Sequence, residues 1–167
     1  MGKYNDAMGS EELSHLDETG RARMVDVGDK EVTERWAVAR GEVRMAREVF
    51  ELAQSGNLKK GDLRSTAEMA GVMGAKETAR LIPLCHPLQL TQVDVKIDLD
   101  EKLPGVLIAA TVRTRARTGV EMEALTAVSI AALTVYDMIK AADKTARITD
   151  VRLVEKHGGR SGDVVLE

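Results

Sequence analysis

The sequence predicts an α+β fold, a ferredoxin-like antiparallel sheet with helices packed on one face. Three observations predict it. Apolar residues alternate cleanly over residues 89–99 and resume after the Lys102-Leu103-Pro104-Gly105 turn over residues 106–117, which makes an antiparallel hairpin. Residues 121–142 carry apolar side chains at helical spacing. The periodic segments run strand, helices, strand, strand, helix, strand, the order of a split β-α-β unit.

Each element has its own reason. Residues 24–27 are short and extended. Over residues 32–45, Val32, Trp36, Ala39 and Val43 fit a helix, while Trp36 and Val38 fit alternation. We read a strand ending near Arg44, then a helix over residues 46–53 that Gly56 closes. Residues 62–81 are rich in Ala, Glu, Met and Arg and predict a helix, with Gly71 and Gly74 as breaks. Pro83 ends it. In the hairpin, Leu90, Val93, Val95, Ile97 and Leu99 mark a half-buried strand. The long helix buries Leu125, Val128, Ala132, Val135 and Ile139, and its small residues permit close packing on a sheet. Ile148, Val151 and Leu153 predict a last strand over residues 147–154. Polar residues 1–22 predict a mobile tail, and the glycine-rich run 157–163 a flexible loop, around a single domain over residues 23–167.

Composition narrows the partners. The 24 basic and 27 acidic residues leave a net charge of −3, which argues against gripping a nucleic-acid polymer. Aromatic residues are only 2% of the chain, too few for a base-stacking platform. A lone Cys85 rules out an intrachain disulfide and fits a cytoplasmic protein. No segment reaches the roughly 20 apolar residues of a membrane helix, and the polar N-terminus is no secretory signal.

Five segments can carry chemistry. In Leu84-Cys85-His86, bracketed by Pro83 and Pro87, the stiff chain fixes an imidazole fit for binding or proton transfer. A loop histidine bonded to a backbone carbonyl is the equal alternative. Adjacent Cys and His rarely reach one ion, so no metal is expected. Glu121, Met122 and Glu123 open the long helix. Acids there offset the helix dipole, and residues two apart point in different directions. At most one of them is expected to face a site. Asp137 and Lys140 share a helix face as an exposed ion pair, or as a partly buried pair in which Lys140 has a lowered pKa. Lys60 lies just before the helix start at Asp62, where an anion can bind. Lys156 and Arg160 sit among glycines, in a loop able to close over a phosphate.

One distance constrains these groups. Glu123 and Lys140 are 17 residues apart on one helix, ~25 Å at ~1.5 Å per residue. They cannot both touch one small ligand from one chain. Either one group is functional, or the site is shared between subunits.

Together the stretches MVDVGDK, KKGDLRSTAEMAG, LIPLCHPL, TGVEMEALTAVSIAALTVYDMIKA and VRLVEKHGGRSGD resemble the cyclic pyranopterin monophosphate synthase family, molybdenum cofactor biosynthesis protein C. The resemblance runs from about residue 15 to the C-terminus. It implies a lyase that converts a 3′,8-cyclised dihydro-GTP, supplied by an upstream radical SAM enzyme, to cyclic pyranopterin monophosphate with release of pyrophosphate. It implies no cofactor and no redox change. Asp137, Lys140 and Lys60 match the family's catalytic residues. Leu84, Cys85, His86, Met122 and Glu123 match substrate-contacting positions, and Glu121, Lys156 and Arg35 match positions lining the pocket. The family's homohexamer, a trimer of dimers with the site at the dimer interface, agrees with the distance argument. The alternative reading is a ferredoxin-like module that binds a nucleotide or a protein without catalysis.

Overall fold

A computed structural model describes residues 20–160 and 162–167. Most of the predicted tail, residues 1–19, and Ser161 of the predicted loop lie outside the described residues.

The first strand, β1, spans Thr33–Arg44, and helix α1 follows at Arg47–Gln54. Gly56 adopts φ +73°, and Asn57 N–H donates to Leu52 O, so the expected glycine close of α1 is present. Helix α2 spans Leu63–Lys76 and the short α3 Thr78–Leu81. Strands β2 (Leu90–Asp100) and β3 (Gly105–Ala116) form the predicted hairpin. The long helix α4 spans Glu121–Ile139, strand β4 Arg147–His157, and a short β5 Val164–Val165. Residues 24–27 form no strand and run irregularly along the molecule.

All pairings are antiparallel, in the order β2-β3-β1-β4-β5. The first four strands hold the ferredoxin-like order, as expected for the α+β class. The helix-covered face of the sheet carries Ala37, Ala39 and Val43 from β1, and Ile108, Ala110 and Val112 from β3, all buried. The opposite face carries Arg40, Glu42, Arg113 and Lys96 and, among the described residues, has no helix on it.

Two glycine expectations are corrected. Gly71 and Gly74 do not break α2; they lie inside it and are buried. A Cβ at Gly74 would sit 2.7 Å from Ile130 Cγ1, and one at Gly71 3.0 Å from Ala127 O. The missing side chains let α2 press against α4. The break comes at Glu77, which separates α2 from α3.

Helix α4 is long and apolar enough to cross a membrane by composition alone. Its Val128, Ala132, Val135 and Ile139 are buried as expected, whereas Leu125 is only half-buried, and Ala124, Ala127, Ala131 and Met138 are buried too. It packs on the sheet beside α2, which itself lies against β2, so burial reaches well beyond one stripe. At its far end Asp143 Oδ2 accepts from Ala46 N–H at 2.7 Å, and Oδ1 accepts from Thr145 N–H at 2.8 Å. That carboxylate ties the end of α4 to the start of α1.

Candidate active site

The expected residues form two groups, one at each end of α4. At the C-terminal end, Asp137 holds two lysines. Lys60 Nζ donates to Asp137 Oδ2 at 2.6 Å and to Asp137 O at 2.8 Å. Lys140 Nζ lies 2.7 Å from Asp137 Oδ1. Lys60 reaches Asp137 because Gly61, at φ +91°, turns the chain into α2, whose N-cap Asp62 accepts from Arg64 N–H.

This cluster is about half exposed, with side-chain exposures of 45% for Lys60 and 53% for Asp137 and Lys140. Hydrogen bonds from Lys140, then from Lys60, pull the Asp137 carboxyl down to about 2. The hydrogen bond to Asp137 raises the Lys140 pKa. The expectation of a partly buried Lys140 with a lowered pKa is therefore corrected: its carboxylate partner stabilises the charged ammonium, and burial is too slight to oppose it. An ammonium has three donors. Lys60 uses two of them within the cluster and Lys140 uses one. The rest can meet an anion or a carbonyl.

At the N-terminal end, the segment Leu84-Cys85-His86 faces Glu121, Met122 and Glu123 across a cleft of about 310 Å³, with Val25, Val27 and Lys30 completing the wall. Cys85 N–H donates to Ile82 O at 3.1 Å, closing the turn between Pro83 and Pro87. Both glutamates line this cleft, so the expectation that at most one of them faces a site is corrected; the two differ in partner and burial. Glu121 Oε1 pairs with Lys156 Nζ at 3.0 Å. Glu123 is only 4% exposed. Burial pushes its pKa up to about 7, and the charge of Glu121 adds to this while its own backbone N–H opposes it. Burial, and then the charge of Glu123, raise the Cys85 thiol pKa. Glu123 can thus take up or release a proton near neutral pH.

A wider trough of about 700 Å³ adjoins this cleft and shares Lys30, Thr118, Gly119 and Glu121 with it. Its wall adds Arg35, Arg117, Lys156 and Arg160, against the acids Asp29 and Glu31. Arg35 Nε donates to Ala116 O at 3.0 Å, which fixes the guanidinium at the rim. Arg160 lines the trough, where the loop reading had placed a phosphate, and Lys30 and Arg117 join it without having been singled out from the sequence. Arg117 ends an arginine-rich run, a pattern common on solvated surfaces, and Lys30 carries no such signal. Among the described residues, no three His, Cys, Asp or Glu side chains are grouped to hold a metal ion.

The MoaC family pattern matches residues 24–159 of the chain. The chain belongs to the MoaC family. It is 60% identical over 150 residues to a cyclic pyranopterin monophosphate synthase of Dinoroseobacter shibae, covering 90% of this chain and 95% of that protein. A protein of the same name from Roseiflexus castenholzii is 60% identical, covering 93% of this chain and 99% of the relative. One from Cereibacter sphaeroides is 57% identical, covering 90% and 94%. The chain is accordingly an enzyme of the lyase type in molybdenum cofactor biosynthesis, and the reading as a non-catalytic module is set aside.

The two groups of expected site residues do not converge within one chain. Asp137 and Glu123 are 14 residues apart on one continuous helix, ~21 Å at ~1.5 Å per residue. Each end of α4 carries one group of the expected site residues.

Proposed function

We propose that the chain is a cyclic pyranopterin monophosphate synthase. Its substrate is a 3′,8-cyclised dihydro-GTP, rearranged to cyclic pyranopterin monophosphate with release of pyrophosphate. The observation that carries the reading is the Asp137 carboxylate, which draws Lys60 and Lys140 into one charged cluster. Proton transfers and hydrolytic ring opening suit such positioned acids and bases.

The active site is composite in this reading. One subunit supplies the cleft and the basic trough; a second copy supplies Lys60, Asp137 and Lys140. The triphosphate lies along Arg35 and Lys156, where charge-assisted hydrogen bonds are strongest. His86 and Glu123 hold the guanine or ribose, and Met122, Leu84 and Cys85 form the wall beside it. Glu121 orients Lys156 through their ion pair. Asp137 keeps Lys140 charged, so Lys140 begins as an acid and an anion holder, and serves as a base only after giving up a proton. A homohexamer built as a trimer of dimers accommodates this sharing. The upstream reaction is that of the radical SAM enzyme that cyclises GTP. The protein acts in the cytoplasm, without metal or cofactor and without a nucleic-acid polymer.

The test is direct. The purified protein is given the cyclised dihydro-GTP, and pyrophosphate and the cyclic pterin phosphate are measured. Both products are expected in equal amounts. Substrate binding without either product contradicts the reading.

A further inference from the structure

The single tryptophan is placed at a strand end beside the basic trough. The Trp36 ring stacks on His157 with centroids 3.7 Å apart and planes 8° from parallel. Arg113 lies over the other side of the tryptophan at 5.3 Å. Trp36 pairs with Arg113 on β3 and with His157 on β4, so the three form one cross-strand row on the face opposite α2 and α4. His157 is also bound at both nitrogens: Nδ1 lies 3.1 Å from Asp163 Oδ1, and Nε2 3.2 Å from Glu155 Oε2.

Asp163 then reaches back over the turn. Its Oδ1 accepts from Gly158 N–H at 3.2 Å. Gly158 and Gly159 have φ of +87° and +78°. A Cβ on Gly158 would fall 2.2 Å from Glu34 O, and one on Gly159 would fall 2.0 Å from Arg35 Nη1. The backbone of the turn therefore lies directly on the Arg35 guanidinium. Lys156, one residue before the histidine, pairs with Ala37 and points to the helix side, where it meets Glu121.

We propose that Trp36, His157 and Asp163 form a clamp that holds the β4–β5 turn against β1 and thereby positions Arg35 and Lys156 for the phosphates of the substrate. The clamp residues touch no substrate; they act through the turn. The proposal rests on the reading of the trough as the phosphate site. It goes further in naming what sets that site's geometry from the opposite face of the sheet.

The single tryptophan supplies the test, since its emission reports the stack without interference. Inorganic tripolyphosphate is titrated into the intact oligomer while Trp36 fluorescence is followed. Emission is expected to change saturably. The Asp163→Ala and His157→Ala variants are expected to bind tripolyphosphate about tenfold more weakly, as positioning of two cations is lost. In steady-state turnover the same variants raise KM for the cyclised substrate by a similar factor and leave kcat within about twofold. Trp36→Phe, which keeps an aromatic face for His157, retains near-normal KM, whereas Trp36→Ala does not. Circular dichroism and denaturant midpoints confirm that each variant is folded. Folded His157→Ala and Asp163→Ala chains with unchanged tripolyphosphate affinity overturn the clamp. Loss of kcat with unchanged KM overturns it too. If tripolyphosphate binds and the clamp variants weaken it, yet the cyclised substrate is not turned over, the clamp stands and the proposed reaction fails.

Discussion

Glu123 carries the most perturbed carboxyl described at the N-terminal end of α4. Its pKa of about 7 exceeds the ordinary value of 4.5 because burial disfavours its charge. The folded state therefore binds more protons than the unfolded chain between these values. Stability falls as pH rises from about 4.5 to about 7 and levels off above that. The total fall is on the order of 2–3 kcal/mol. Glu123→Gln is expected to remove that slope, which chemical denaturation at a series of pH values measures; an unchanged slope contradicts the burial account. Asp137 behaves oppositely. With its pKa near 2 it stays ionised throughout the working range and keeps both lysines in place. Asp137→Asn removes the charge that holds them, and kcat/KM is expected to fall roughly 100-fold or more. Lys140→Ala is expected to do the same, and normal turnover by either variant contradicts the assigned roles. Sequence spacing made the shared face of Asp137 and Lys140 legible, but not that Glu121 and Glu123 both line one cleft. It could not reveal that Lys60, 77 residues away from Asp137, completes the cluster. Nor could it reveal that Lys140 is exposed enough for its partner to dominate its titration.

The elements were legible where periodicity is strong. The β2–β3 hairpin and α4 follow from alternation and helical spacing. Helix α2 follows from propensity and its Asp62 cap. Its glycines were misread because a glycine that breaks a helix and a glycine that admits a neighbour look alike in one dimension. Gly74 distinguishes them experimentally. Its Cβ would meet Ile130 Cγ1 at 2.7 Å and Ile130 Cβ at 2.8 Å, so Gly74→Val is expected to cost about 1–3 kcal/mol by overpacking. A breaker's replacement would instead gain stability by raising helix propensity. Urea denaturation separates the two signs. The end of β4 was also underestimated. Glu155, Lys156 and His157 lack an alternating apolar pattern, and their strand pairing comes from the β1 partner strand, with His157 stacked on Trp36.

At the scale of the whole molecule, α4 acts as a spacer. Packed on the sheet and against α2, it runs as one continuous helix, and its length keeps the two groups of expected site residues apart. Under the proposed shared site, each chain presents two half-sites, and a C2 pairing of chains brings unlike halves together twice. The balanced net charge of −3 conceals this division. Basic residues gather along the trough, where they outnumber the acids Asp29, Glu31 and Glu121, and at Asp137. The most direct measurement of the shared site mixes two inactive chains, Glu123→Ala and Lys140→Ala, after dissociation and reassembly. Random pairing makes half the dimers mixed, and each mixed dimer has one intact site of two, so about a quarter of wild-type activity is expected. No recovered activity in oligomers shown to contain both chains would contradict the account.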